Sequence, residues 1–83
     1  MKDFTVQEQN QKIFRFLNKR GLIKLYVKVK TKLESGDTQS TRFKLKKPKH
    51  REIYSFRINK QYRAIGVFRE NIFVVYAIDD HQT

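Results

Sequence analysis

The chain has no cysteine, no tryptophan, one proline and three glycines. Without cysteine there is neither a disulfide framework nor a cysteine-based zinc site, and two histidines do not make a structural metal centre by themselves. So few glycines leave no loop that could cradle a phosphate with backbone amides. No apolar run approaches the roughly 20 residues that cross a bilayer. The first seven residues, Met-Lys-Asp-Phe-Thr-Val-Gln, lack the apolar centre of a signal peptide. The expectation is a soluble cytoplasmic chain with no metal, no small-molecule cofactor and no membrane partner.

Acids are also scarce. Eight Asp and Glu face nineteen Lys and Arg, a net charge of +11. Such an excess repels itself in a compact fold and favours a polyanionic or acidic partner. Nucleic acid comes first, because each neutralised phosphate releases a counterion; a membrane surface or an acidic protein come after it. The plainer reading is a generically basic domain with solvated lysines. Glu52, Glu70, Asp79 and Asp80 are the only acids of the second half. Asp79 and Asp80 are adjacent, so on a strand they point to opposite sides and do not form a carboxylate pair. His50 and His81 sit in charged surroundings, and no Ser-His-Asp arrangement is supported.

What is present suits one small domain over residues 1–83. Hydrophobic residues make up 39% of the chain and aromatic ones 13%, enough for a small core near the lower size limit of independent folding. Between residues 6 and 20, Ile13, Phe14, Phe16 and Leu17 are spaced as one helical face. Thr5 and Glu8 fit a capping box, while Phe4-Thr5-Val6 equally fits a short first strand. Lys19, Arg20 and Gly21 close this helix. A second helix is expected from Leu22 to about Glu34, with Leu22, Tyr26, Val29 and Leu33 on its apolar face, ending at Ser35-Gly36-Asp37. After a polar loop, residues 42–51 form a basic run. Phe43 and Leu45 alternate there with cations, as on a short edge strand that Pro48 interrupts.

Residues 54–81 are rich in β-branched and aromatic residues, with polar breaks at Asn59-Lys60-Gln61 and Arg69-Glu70-Asn71. They predict three antiparallel strands joined by two short turns. The fold class is therefore α+β: an N-terminal helical hairpin packed on a small antiparallel sheet of three to four strands. Cations converge on that sheet at Lys44, Lys46, Lys47, Lys49, Arg57, Arg63 and His81. Arginine can hold a phosphate through two parallel hydrogen bonds, lysine adds a point charge, and histidine can exchange a proton near neutral pH. Together they suit RNA cleavage by attack of a 2′-hydroxyl on its own phosphate, which needs a base, an acid and positive charge but no metal. Taken singly, Arg57 and Arg63 also fit ion-pair partners, and the lysines a solvated edge. Strand periodicity adds one geometric expectation: a three-residue loop at Asn59-Lys60-Gln61 would set Arg57 opposite Arg63, whereas a two-residue turn would send them to opposite faces.

The second half of the chain resembles the RelE/ParE superfamily of toxins from type II toxin-antitoxin systems. The likeness is carried by Arg-Phe-Lys-Leu-Lys at 42–46, Ile-Tyr-Ser-Phe-Arg-Ile at 53–58, Gln-Tyr-Arg-Ala-Ile-Gly at 61–66, and a hydrophobic strand leading to His81. The resemblance implies a helical hairpin on one face of the sheet and a basic surface on the other. It implies an endoribonuclease that cuts mRNA on the ribosome, inhibits translation, and is held inactive by a cognate acidic antitoxin. By matching positions, Arg63 would stabilise the scissile phosphate and His81 would transfer a proton. Arg57, with Arg42, Lys44, Lys47 and Lys49, would bind phosphate or ribosomal RNA. Residues 42–51 contain no acid, so the general base falls to Lys46 or His81. A sister branch of the superfamily poisons DNA gyrase without cutting RNA; that activity, and a non-toxic RNA- or ribosome-binding module, are the other two readings.

Overall fold

The computed structural model describes residues 4–80. In chain order the elements are β1 (Thr5–Glu8), α1 (Gln11–Lys19), α2 (Ile23–Glu34), β2 (Lys44–Leu45), a one-turn 3-10 helix (Lys49–Arg51), β3 (Ile53–Arg57), β4 (Tyr62–Arg69) and β5 (Ile72–Asp80). The strands form a single sheet in the order β1-β5-β4-β3-β2. β1 runs parallel to β5 and every other neighbouring pair is antiparallel. The α+β class stands, but the sheet has five strands rather than three to four, and it is mixed. A strand precedes the helices. No described helix is long and apolar enough to cross a membrane.

The first strand also corrects the start of α1. Thr5 is not a helix cap. Residues 5–8 pair with Ile72 to Val75 and bury Val6 to 3% exposure, which outweighs one local capping box. The helix begins instead after Asn10, whose side-chain oxygen accepts the Lys12 amide at 2.9 Å, the bond expected of an asparagine cap. Gly21, at φ 68°, then turns the chain out of α1 in the left-handed region that glycine tolerates. α2 starts at Ile23, with Leu22 as its cap residue, and ends at Glu34.

The core lies between the helices and one face of the sheet. Ile13, Leu17, Leu22, Tyr26 and Leu33 come from the helical segments; Val6, Phe56, Ile58, Ala64, Phe73 and Val75 come from the strands and their ends. Alternation along each strand makes this possible, since every second residue points to the helices. Phe14 departs from the expected stripe and is 39% exposed.

Glu8 shows how the helices are tied to β1. Its Oε2 accepts the Tyr26 hydroxyl at 2.6 Å and Lys30 Nζ at 3.1 Å. Glu34 Oε2 accepts the Val6 amide at 2.7 Å, occupying an edge donor that would otherwise face away from the sheet. Burial first, then the bond to Glu8 and the charges of Glu8 and Glu34, hold the Tyr26 phenol well above its usual value of 10.0. The folded state thus favours the neutral phenol. Its contribution is complete below pH 10 and is lost as pH rises further, because the unfolded chain then releases a proton that the folded chain keeps. Tyr26→Phe should remove about 1.5–3 kcal/mol at neutral pH, the range for a hydrogen bond to a charged group. It should also flatten the alkaline fall in stability. Urea unfolding at pH 7 and above pH 10 checks both.

Gly66 faces the core beside an irregularity in the β4–β5 pairing. Gly66 opposes Val75, but Ile65 opposes Ala77, so Tyr76 is an extra residue on β5. A Cβ at Gly66 would overlap the Val74 carbonyl and come within 2.8 Å of the Phe73 ring. Gly66→Ala should therefore destabilise the fold by roughly 1–3 kcal/mol, the usual range for overpacking. An unchanged urea midpoint would show that the strands separate there without strain.

Candidate nucleic-acid interface

The face of the sheet turned away from the helices holds the candidate site. Its residues follow from register. Arg57 pairs with Arg63, and Arg63 with Asp79, giving one row across β3, β4 and β5. The next row is Lys44, Ser55, Ile65 and Ala77. The row beyond contains Ile53, Val67, Val74 and Gln7, and the Lys46 backbone amide joins it by donating a hydrogen bond to the Ile53 carbonyl at 2.7 Å. Rows on one face lie about 7 Å apart, and strands about 4.8 Å. The result is a half-buried strip of Ile53, Ile65, Val67, Val74 and Ala77, with cations at its margins.

The arginine pair depends on the β3–β4 loop. The Ile58 amide donates to the Tyr62 carbonyl at 3.0 Å, closing a loop of Asn59, Lys60 and Gln61. Asn59 Oδ1 accepts the amides of Gln61 and Tyr62 at 2.8 and 2.7 Å, so the asparagine side chain holds the turn. With three residues in the loop, Arg57 and Arg63 share a face. Arg57 Nε donates to the Asn59 carbonyl at 3.2 Å, which steadies its guanidinium against the loop. Among the described residues neither arginine forms an ion pair; the sole one there is Lys30 with Glu8.

Asp79 is the residue that sequence reasoning missed. Counted back from the Arg69–Ile72 pairing without interruption, Arg63 would oppose Ile78. The extra residue Tyr76 shifts the register, so Ile78 opposes Ala64 on the core side and Asp79 opposes Arg63 on the open face. Directly opposed side chains have Cβ atoms about 5 Å apart. A carboxylate thus stands next to the central arginine. Asp80 points to the other side, where its Oδ1 accepts from Gln61 Nε2 at 3.1 Å. A signal was present in principle, since an unbroken register would have exposed Ile78.

The other residues are spread more widely. By strand geometry the Lys44 backbone is about 8 Å from that of Arg57 and about 12 Å from that of Arg63. Lys46 is about 17 Å from Arg63 along the same grid, with Ile53, Ile65 and Val67 in the space between. Arg42 is exposed in the segment before β2 at φ 53°. Lys47 and Lys49 are exposed between β2 and β3. His81 lies outside the described residues. The structure therefore joins Arg57 and Arg63 and sets Lys44 beside them; Arg42 also lies near the pair, since the carbonyl of its neighbour Thr41 accepts the Arg57 amide at 2.8 Å, whereas Lys46 stands two rows away.

Among the described residues, no three His, Cys, Asp or Glu side chains gather as a metal site. The guanidinium pair gives the open face donors of the kind that hold phosphate through parallel bonds, and Asp79 sets a carboxylate beside them. Comparison with models of known protein families and with curated proteins gives no match for this chain.

Proposed function

We propose that this chain is a RelE/ParE-like toxin, a metal-independent endoribonuclease that cuts mRNA on the ribosome and is held in check by an acidic antitoxin. The observation that carries this reading is the direct pairing of Arg57 with Arg63 on a sheet face without helices. Two helices pack on the opposite face, the partition that the resemblance leads one to expect. Lys44 and Lys46 extend the positive charge along the β2 edge of the open face.

In this reading the scissile phosphate sits over Arg63, with Arg57 steadying the same phosphate or its neighbour. Asp79 takes the proton of the 2′-hydroxyl. The 2′-oxygen forms a bond to phosphorus, and negative charge grows on the phosphoryl oxygens facing Arg63. The bond from phosphorus to the 5′-oxygen of the next nucleotide breaks, and that oxygen takes a proton from His81. A cyclic phosphate and a free 5′-hydroxyl result. Lys46, placed away from Arg63, holds RNA rather than moving a proton.

Purified protein incubated with ribosomes carrying a defined message tests the assignment. Cuts confined to the ribosomal A-site codon support it. An intact message together with blocked DNA supercoiling would turn the reading to a gyrase poison. An intact message with ribosome binding alone would leave a basic RNA-binding module.

A further inference from the structure

The basic run 42–51 leads to a feature that the arginine site does not use. At the end of the sheet opposite the Arg57–Arg63 loop, Arg51, Glu52, Tyr54, Val67 and Phe68 line a crevice of about 200 Å³. Phe68 is 36% exposed. It is held from behind by Phe4, Phe73, Phe43 and Tyr54, with ring centroids 5.0, 5.2, 6.1 and 5.3 Å away. Phe68, paired with the core residue Phe73, packs against this aromatic cluster and leaves only part of its ring open to the crevice. The 3-10 turn presents Arg51 and Glu52 together: the Glu52 amide donates to the Lys49 carbonyl at 3.0 Å, and Glu52 takes a left-handed backbone, φ 54°. No ion pair engages Glu52 among the described residues, although Lys47, Lys49, His50 and Arg51 precede it in the chain.

We propose that this crevice is a nucleobase subsite selective for guanine. The base would stack on the exposed part of Phe68, with the Tyr54 ring, set at 82° to it, forming a side wall; stacking is the sequence-tolerant part of recognition. The Glu52 carboxylate would accept from the base edge, and Arg51 would hold the adjoining phosphate. Guanine alone among the four bases presents two neighbouring donors, its ring N–H and its amino group, to the two oxygens of one carboxylate. Adenine and cytosine present an amino donor beside an acceptor, and uracil a single ring donor between two acceptors; each sets an acceptor against the negative charge. Tyr54 pairs with Gly66 and Phe68 with Phe73, so both rings stand on the helix side of the sheet, and a single strand leaving the arginine pair would run about 13 Å along β3 and round the end of the sheet to reach them. Recognition would then act on a base some way from the cut. This inference rests on RNA being the substrate.

Titrating the full chain with GMP, AMP, CMP and UMP, followed by NMR shifts of the Phe68 ring and of the residue 51–54 amides, tests it without any cleavage. GMP should bind at least about tenfold more tightly than the others, the scale of one well-matched base contact. Glu52→Gln should abolish that preference, leaving the weaker binders unchanged. Arg51→Ala should weaken all four alike. Equal binding of the four, no shifts at Phe68, or a preference retained in Glu52→Gln would each overturn the subsite. Message cutting is scored separately on the same protein. Selective GMP binding without cutting would sink the ribonuclease reading and keep the subsite; cutting without selective binding would do the reverse.

Discussion

Arg63→Ala should slow message cleavage by roughly 10²- to 10³-fold, the cost of losing one donor to charge that develops in the transition state. Ribosome binding should change little. With a net charge of +11, many other cations hold RNA, and one contact is a small share of a salt-dependent affinity. Melting temperature should also stay near that of the parent, since Arg63 is half-buried on the uncovered face and forms no ion pair with a described residue. Arg63→Lys should recover only part of the rate, because an ammonium cannot match a phosphate with two parallel bonds. A purely structural arginine would behave otherwise: the alanine variant would melt lower and lose binding in step with activity.

Asp79→Asn should cost more, roughly 10²- to 10⁴-fold if the carboxylate takes the 2′-hydroxyl proton. Asparagine keeps the shape and removes the basicity. Were Asp79 only a counter-charge for Arg63, the substitution would leave the rate unchanged or raise it by freeing the guanidinium, and melting temperature would be the quantity that moves. Parallel rates and melting curves for Asp79→Asn and Arg63→Ala separate the two cases. His81→Ala provides the companion measurement for the leaving-group proton.

These two residues also show how far sequence could be read. The three C-terminal strands were legible because Asn59-Lys60-Gln61 and Arg69-Glu70-Asn71 interrupt runs of β-branched and aromatic residues. The Arg57–Arg63 pair needed only the length of the first loop, which Asn59 fixes locally. Two other features depended on distant partners. β1 forms against Ile72 to Val75 near the other end of the chain; the residues around Thr5 fit a helix cap and a short strand equally, and only that distant pairing decides for the strand. The Tyr76 insertion is equally non-local. It lets Ile78 enter the core opposite Ala64 where an unbroken register would have exposed it, and so carries Asp79 to the arginine face. Lys46 looked equivalent to Lys44 by alternation. The two do share a face, but the distance between rows sets Lys46 apart from Arg63.

The most direct test of the central claim is the chemical nature of the new ends on message cut on intact ribosomes. Attack by the 2′-hydroxyl over the Arg57–Arg63 pair predicts a 2′,3′-cyclic phosphate on one fragment and a 5′-hydroxyl on the other. A 3′-hydroxyl with a 5′-phosphate would contradict it.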